Sequence, residues 1–593
     1  MPVVQQGSIN TTALVVPDLY VQIVPPQVAL LNGVPTNILG AVGTASWGPV
    51  SAPTIASNMA DYARQFGPMI NRKYDLGTAV AAAVMQGANN FRLVRVTDGT
   101  DVAAQLVIQS TCLTITSKYT GSLANLDQVT IAAGSAANTT RVTIARAGLP
   151  PEVFDNIPGT GNALWVNIAN AINNGTNSLR GASQLVVATA GAGTAAPTLT
   201  TYTLGSGTPG TDGAGLSGVV GSVAFVAGSG YTNGTYTLTV TGGGGTAPVI
   251  QAVVAGGAVT SIIIVSPGQN LTSVPTLALP GGAGSGTGAS FTATLLTPGI
   301  ALLGQDVVPR KGMYALRNTG TSVAMLVDCD DTTTFATQVA YGLSEGTYMI
   351  GTTPAGDTIA NAVATKASAG IDSYAFKYMF GDWVLFNDTV NGVIRAISPQ
   401  GFVAGKLVAL SPERSPLNKP LGGVVGTQKS NSNQVYSSAE LQTLIQAGID
   451  VITNPSPGGN YFSCRAGHNS SSNPLTNGDN YTRMTNYIAY TLNAGMGQYV
   501  GRLQTVTERA EAKGTLDAFL SNMEQQGMIG DPNGGPSFSV VLDATNNPSN
   551  RVALGYQQGD VKVKYLSVVE KFILNVEGSA GTIVATPSGS PTF

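Results

Sequence analysis

The chain has 593 residues, 43% of them hydrophobic and only 10% charged, which is enough apolar material for several cores and excludes a disordered tail. A formal net charge of -3, from 28 basic and 31 acidic side chains, offers a polyanion no footing, so nucleic acid is not an expected partner. Three scattered cysteines (Cys112, Cys329 and Cys464) and a single histidine leave neither a disulfide framework nor a ligand set for zinc, and no metal or other cofactor is expected.

The first residues carry neither a basic start nor an apolar run, so no secretory signal is read. No stretch approaches the roughly 20 apolar residues of a membrane span, and membrane insertion is not expected. Residues 1–24 read as extended, with Leu14-Val15-Val16 and Leu19-Tyr20-Val21-Gln22-Ile23-Val24 separated by Pro17 and followed by Pro25-Pro26. The prolines prevent helix and confine a strand to an edge, which suits either addition to another sheet or a frayed terminus. From 37 to 96 the signals alternate as in an α/β unit: an apolar run over 37–45, helices over 59–66 and 76–85, and a buried-type strand over 91–96.

Between about 97 and 297 the chain turns to short Thr/Val strands cut by glycine. Residues 227–245 are echoed by 266–282, with Thr237-Leu238 and Thr276-Leu277 in matching places, which points to a duplicated module of stacked β-hairpins. Alternation resumes afterwards. Strands are expected at 313–316, 323–327, 348–350, 374–380, 383–386 and 449–453, and helices near 333–340, 358–369 and 440–448.

The segment 480–578 has the most consistent signals. Met484, Tyr487, Ile488, Thr491 and Leu492 mark a helix over 481–495 ended by Gly495 and Gly497. A second helix starts near Thr505, which has Glu508 at capping-box spacing, and presents Leu516, Phe519, Leu520 and Met523 before Gly527 stops it. Strands follow at 537–543 (Phe538, Val540, Leu542), 561–565 (Val561, Val563, Tyr565) and 572–576 (Phe572, Leu574, Val576). Two helices and three strands make a small α+β layer.

The order of blocks in this segment, 481–488, 498–500, 516–520 with 527–530, and 538–541, resembles the C-terminal domain of contractile-tail sheath proteins. Pro17-Asp18-Leu19-Tyr20-Val21, Gly43-Thr44-Ala45-Ser46-Trp47-Gly48-Pro49 and residues 87–95 resemble the opening blocks of the same family. Residues 397–407 with 415–421 resemble its central block, where a Pro-x-Gly turn leads into an Ala/Gly helix. Asp18 stands where the family more often has glycine. The resemblance covers roughly 25–95 and 310–578 and is interrupted by the β-rich insertions.

Three enzyme patterns compete with this reading. Asp328-Cys329-Asp330-Asp331-Thr332 after a strand fits the nucleophile loop of haloacid-dehalogenase-like phosphatases, with Asp328 attacking and Asp328/Asp330 holding Mg²⁺, but no later acidic run completes the metal site. Gly342-Leu343-Ser344-Glu345-Gly346 fits a nucleophile elbow in letters, yet a helix precedes Ser344 where a strand is required, and His468 would be the only base. Residues 205–210 match a dinucleotide fingerprint with no helix after them. Each has a plainer structural reading as a loop or turn, and the chain is not expected to be an enzyme. A β-rich phage adhesin or fibre, built on the Gly-rich repeats, is the other rival.

The expected fold class is α+β and multidomain: mixed sheets flanked by helices in the core, β-rich Gly/Thr-rich inserted outer domains, and extended terminal arms. The division expected is an N-terminal arm (1–24), a core in two parts (25–96 and 301–425), an inserted outer domain (97–215), a Gly-rich β-repeat insertion (216–300), a C-terminal sheath domain (426–574) and a C-terminal arm (575–593). The resemblance implies a sheath subunit that stacks as hexameric rings around a tail tube, meets the tube protein, baseplate and tail terminator, and contracts to drive the tube through a host envelope. It further implies assembly in the host cytoplasm and a final place in the virion. It also implies strand exchange between copies through Val15, Val16, Leu19, Val21 and Ile23 and through Phe538, Val540, Val561, Val563, Phe572, Leu574 and Val576. By spacing, the run Glu508, Arg509, Glu511 and Lys513 is a solvated helix face with i,i+4 pairing; the resemblance makes it a tube-facing helix.

Overall fold

A computed structural model describes residues 3–6, 20–23, 31–176, 180–213, 216, 219–268 and 271–574. Six strands form the central sheet, in the order Phe376–Met379, Tyr348–Thr352, Val323–Leu326, Leu39–Gly43, Phe91–Arg95 and Thr54–Ala56; all neighbours run parallel except the last pair. Both faces are covered, which is why these strands read as continuous apolar runs. Leu39, Ala41, Leu93, Val323 and Met325 enter the core on one face, and Val42, Val94, Ala324 and Leu326 enter the core on the other.

On the first face the helices Leu76–Met85 and Gln400–Ala409 lie against each other at close range. A Cβ on Gly405 would come within 2.5 Å of Ala83 Cα, so the Ala/Gly composition of both helices is what lets them approach. The other face carries the helices Phe335–Glu345, Ile359–Ser368 and Ser438–Gln446. The strand expected at 313–316 is instead a 3₁₀ turn, Gly312–Leu316, which buries Met313 and Leu316 on one side. The strand expected over 449–453 shrinks to Ile452–Thr453.

The two insertions both lie in the single long connection from the strand Phe91–Arg95 to Val323–Leu326, which are separated in the sheet by Leu39–Gly43. The first part holds a four-stranded and a three-stranded sheet, and a 14-residue helix, Gly161–Asn174, that an all-strand reading of the stretch missed. This part is pinned to the core. Asp212 accepts from Arg72 (2.9 Å), from the Ser46 hydroxyl (2.9 Å) and from the Ser122 amide (2.8 Å), while the Arg146 guanidinium lies 3.9 Å from the ring centre of Trp47.

The second part, 219–296, is a two-sheet sandwich rather than stacked hairpins. Val220–Ser229, Thr287–Leu295, Thr276–Ala278 and Thr239–Thr241 make one sheet; Gly234–Thr237, Val249–Ala255 and Ala258–Ser266 make the other. The sequence duplication has a direct structural expression: Thr239–Thr241 and Thr276–Ala278 pair antiparallel, and both Leu238 and Leu277 are buried between the sheets. Val220 and Leu295 are register partners, so the chain enters and leaves this sandwich side by side. Among the described residues no helix is long and apolar enough to cross a membrane.

Candidate assembly interface

The C-terminal layer is built on the helices Asp479–Met496 and Val506–Gln525 and the antiparallel hairpin Phe538–Val541 with Asp560–Val563. The Thr505 hydroxyl accepts from the Glu508 amide at 3.0 Å and starts the second helix, as its spacing predicts. Gly495 is no stop; it lies inside the first helix, where a Cβ would sit 2.0 Å from Leu31 Cδ2, so its lack of a side chain serves packing. Met484, Ile488, Leu516, Phe519, Leu520, Val540 and Leu542 close one apolar core between helices and hairpin.

Phe538 pairs with Val563 and Val540 with Val561, so four of the residues expected in strand exchange meet across one ladder. That ladder has only two strands among the described residues, which leaves each with an unpaired edge. Of the expected third strand, the described residues 572–574 form no strand. Residues 564–574 run outside any strand, with Phe572 79%, Ile573 82% and Leu574 71% exposed. Val576 lies outside the described residues. At the other end Val15, Val16 and Leu19 also lie outside them, while Val21 and Ile23 fall in the strand Tyr20–Ile23, which runs parallel to Val3–Gln6 as a separate two-stranded ribbon.

A buried charge cluster that spacing could not reveal ties this layer to the core. Lys377, on the edge strand of the central sheet, donates to Asp450 and to Asp479, each at 2.7 Å, and to the His468 carbonyl at 2.9 Å. All three charged side chains are fully buried. Burial alone would depress the Lys377 ammonium; the Asp450 and Asp479 carboxylates reverse that and hold its pKa above the ordinary lysine value. Burial likewise works against the Asp450 carboxylate, yet Lys377 and the amides of Ala466 and Val451 keep its pKa below the usual range. Asp479 opens the first C-terminal helix and also accepts from the Tyr348 hydroxyl, so that helix is keyed to the central sheet at its N-terminus. Three residues more than 25 positions apart carry this contact, and no local pattern marks it.

The four charged residues expected to face a tube all lie on the helix Val506–Gln525 and are half-buried. Glu508 and Glu511 approach Arg502 (3.3 and 3.7 Å), and Lys513 pairs with its i,i+4 neighbour Asp517 (2.7 Å). Beside them Val500 (85%) and Leu503 (86%) in the connection and Val506 (76%) at the helix start are exposed, an apolar ridge that charge spacing does not mark.

The enzyme patterns resolve into structure. The Asp328 carboxylate accepts from the Tyr74 amide at 3.1 Å, and burial raises its pKa to about 6. Asp330 pairs with Lys73 at 2.8 Å, and Asp331 caps the turn before Phe335–Glu345 by accepting from the Thr333 amide at 3.0 Å. Ser344 sits in the last turn of a helix, its hydroxyl donating to the Tyr341 carbonyl at 3.0 Å, while the His468 ring meets Glu570 at 2.7 Å. Residues 204–206 form a 3₁₀ turn, and the next element among the described residues is the strand Val220–Ser229. Among the described residues no three His, Cys, Asp or Glu side chains cluster to hold a metal ion.

These elements define a multidomain α+β chain with a core sheet, two insertions in one connection between its strands, and an open two-stranded hairpin in its C-terminal layer. No family model and no curated protein matches the sequence. Among solved structures the chain is similar to the sheath tail protein of Desulfitobacterium hafniense, at 14% identity and a TM-score of 0.50, over 89% of this chain and 94% of that one. It is similar also to the sheath tail protein of Listeria innocua, at 11% identity and a TM-score of 0.50, over 87% and 90%. The chain has the fold of these sheath tail proteins.

Proposed function

We propose that the chain is the structural subunit of a contractile tail sheath, or of a closely related contractile particle. Copies stack as six-fold rings around a tail tube, are capped by baseplate and terminator proteins, and shorten to drive the tube through a host envelope. No catalysis enters this reading. The observation that carries it is the whole-length likeness of fold to two sheath tail proteins. The open hairpin and the exposed apolar segment 572–574 support it further.

In this mechanism the arms, 1–24 and 575–593, lend strands to the hairpin Phe538–Val541/Asp560–Val563 of neighbouring copies, and the helix Val506–Gln525 faces the tube. A head-to-tail graft of this kind is heterologous and propagates as a stack or helix. If each donated strand adds about five backbone hydrogen bonds at ~0.5–1.5 kcal/mol net, two arms contribute several kcal/mol per subunit. Rings then turn relative to one another without separating. Deleting residues 1–24 is expected to leave a folded monomer that no longer polymerises. Sedimentation and negative-stain microscopy read the result, and tubes of normal length from the truncated chain would refute the mechanism.

A further inference from the structure

Past the hairpin strand Asp560–Val563 the Lys564 amide still donates to the Ser537 carbonyl at 2.8 Å, and there the ladder ends. The next residues have no regular structure but are fastened one after another to the start of the first C-terminal helix and the loop before it. The Tyr565 ring stacks on Tyr481 with centres 6.0 Å apart, and its hydroxyl lies 3.0 Å from that of Thr485. The Asn480 side-chain amide donates to the Leu566 carbonyl at 3.3 Å, and the Tyr481 hydroxyl donates to that of Ser567 at 2.9 Å. The Glu570 carboxylate meets the ring of His468, the chain's single histidine, at 2.7 Å. From Thr485 to His468 these partners run backwards along the chain, so the strap Tyr565–Glu570 leads toward and past the start of the helix Asp479–Met496. Phe572, Ile573 and Leu574 emerge at its far end, exposed.

Without the strap another path is open. A turn over 564–571 would lay the following residues antiparallel on the free edge of Asp560–Val563, setting Val563 opposite Phe572, Lys562 opposite Ile573 and Val561 opposite Leu574. The faces match, since Val561 and Val563 pack on the core of the layer and Phe572 and Leu574 would join them. A segment on so short a tether meets its own edge at roughly millimolar effective concentration, which a neighbouring copy in dilute solution does not reach. Self-pairing would close the edge and consume the donor together. We infer that the strap is a device against this closure: it holds the C-terminal arm off its own hairpin, so that arm and edge both stay open to other copies. The inference rests on the reading of the arm as a strand donated between copies.

The test uses the full-length chain in dilute, unassembled form. Its three cysteines are buried, and Lys562→Cys with Ile573→Cys adds two exposed thiols that can bridge within one chain only if the arm folds back, because a disulfide needs Cα atoms within about 7 Å. After mild oxidation, denaturation and tagging of the remaining thiols with a maleimide polymer, this chain is expected to stay almost wholly unbridged. Adding His468→Glu and Ser567→Ala, which sets two carboxylates against each other and removes one fastener, should raise intrachain bridging about tenfold or more. Adding Glu570→Lys to that variant restores opposite charges and should bring bridging back toward the parent level, which a merely misfolded variant would not do; circular dichroism verifies the fold of each. Bridging that is already high with the strap intact, or that does not rise when the strap is released, would overturn the inference and leave the sheath reading standing. A parent chain that bridges as expected yet never forms tubes would overturn the sheath reading and leave the strap.

Discussion

Asp328 is the residue at which an enzyme reading and a structural one differ most in what they require. A nucleophilic carboxylate is ionised and open to substrate; this one is buried, bound by the Tyr74 amide, and has its pKa raised to about 6. Because the folded pKa lies above the unfolded value near 3.8, the group's contribution to stability is fully present below about pH 4. It is lost as pH rises through about 6, a swing of at most about 3 kcal/mol. Asparagine keeps the acceptor for Tyr74 without ionising and tolerates the positive φ of 53° found here. Asp328→Asn is therefore expected to match the parent near pH 4 and to gain on it up to pH 7, reaching a plateau above about pH 6.5. Urea unfolding at several pH values measures this; a variant less stable than the parent at pH 7 would show that the carboxylate is needed ionised. The cluster of Lys377, Asp450 and Asp479 follows the opposite rule, since its charges are mutually paired and stabilise one another only as ions.

Elements were legible in the sequence where one periodicity served one environment. The helices Met59–Phe66, Leu76–Met85 and Val506–Gln525 and the strands Phe91–Arg95 and Phe538–Val541 fall within a few residues of where spacing and caps put them. The misses have physical causes. Residues 313–316 present an apolar pair three apart, which a short strand pattern cannot be told from, and the chain resolves it as a 3₁₀ turn. Residues 572–574 alternate as a strand should, but no strand among the described residues pairs with them, and they are exposed. The Lys377 cluster and the apolar ridge at Val500, Leu503 and Val506 depend on contacts between distant segments and on exposure, neither of which spacing encodes. One element carries a sharp consequence. Because the helices Leu76–Met85 and Gln400–Ala409 touch through alanine and glycine, Gly405→Leu has no room and is expected to cost about 1–3 kcal/mol or more by overpacking. Unfolding monitored in urea tests it; a neutral outcome would mean that the helix pair can separate without loss.

At the scale of the molecule the two insertions differ in how they are joined to the core. The first insertion is tied to the core through Asp212, Arg72 and Trp47 and behaves as part of it. The sandwich differs: its apolar core is its own, its polar side-chain bonds run within it, and its entry and exit strands are paired through Val220 and Leu295. A chain that leaves and returns through adjacent strands can be closed by a short linker without stretching the fold beneath it. Replacing residues 219–296 by a few Gly and Ser residues is thus expected to leave the core folded and the arms able to join copies. If the sandwich were instead the functional centre of an adhesin or fibre, its removal would abolish function while the remainder had no reason to polymerise. Negative-stain microscopy of the excised chain separates the cases: tubes argue for a sheath with a decorated exterior, and folded monomers that never associate argue that the sandwich itself drives assembly.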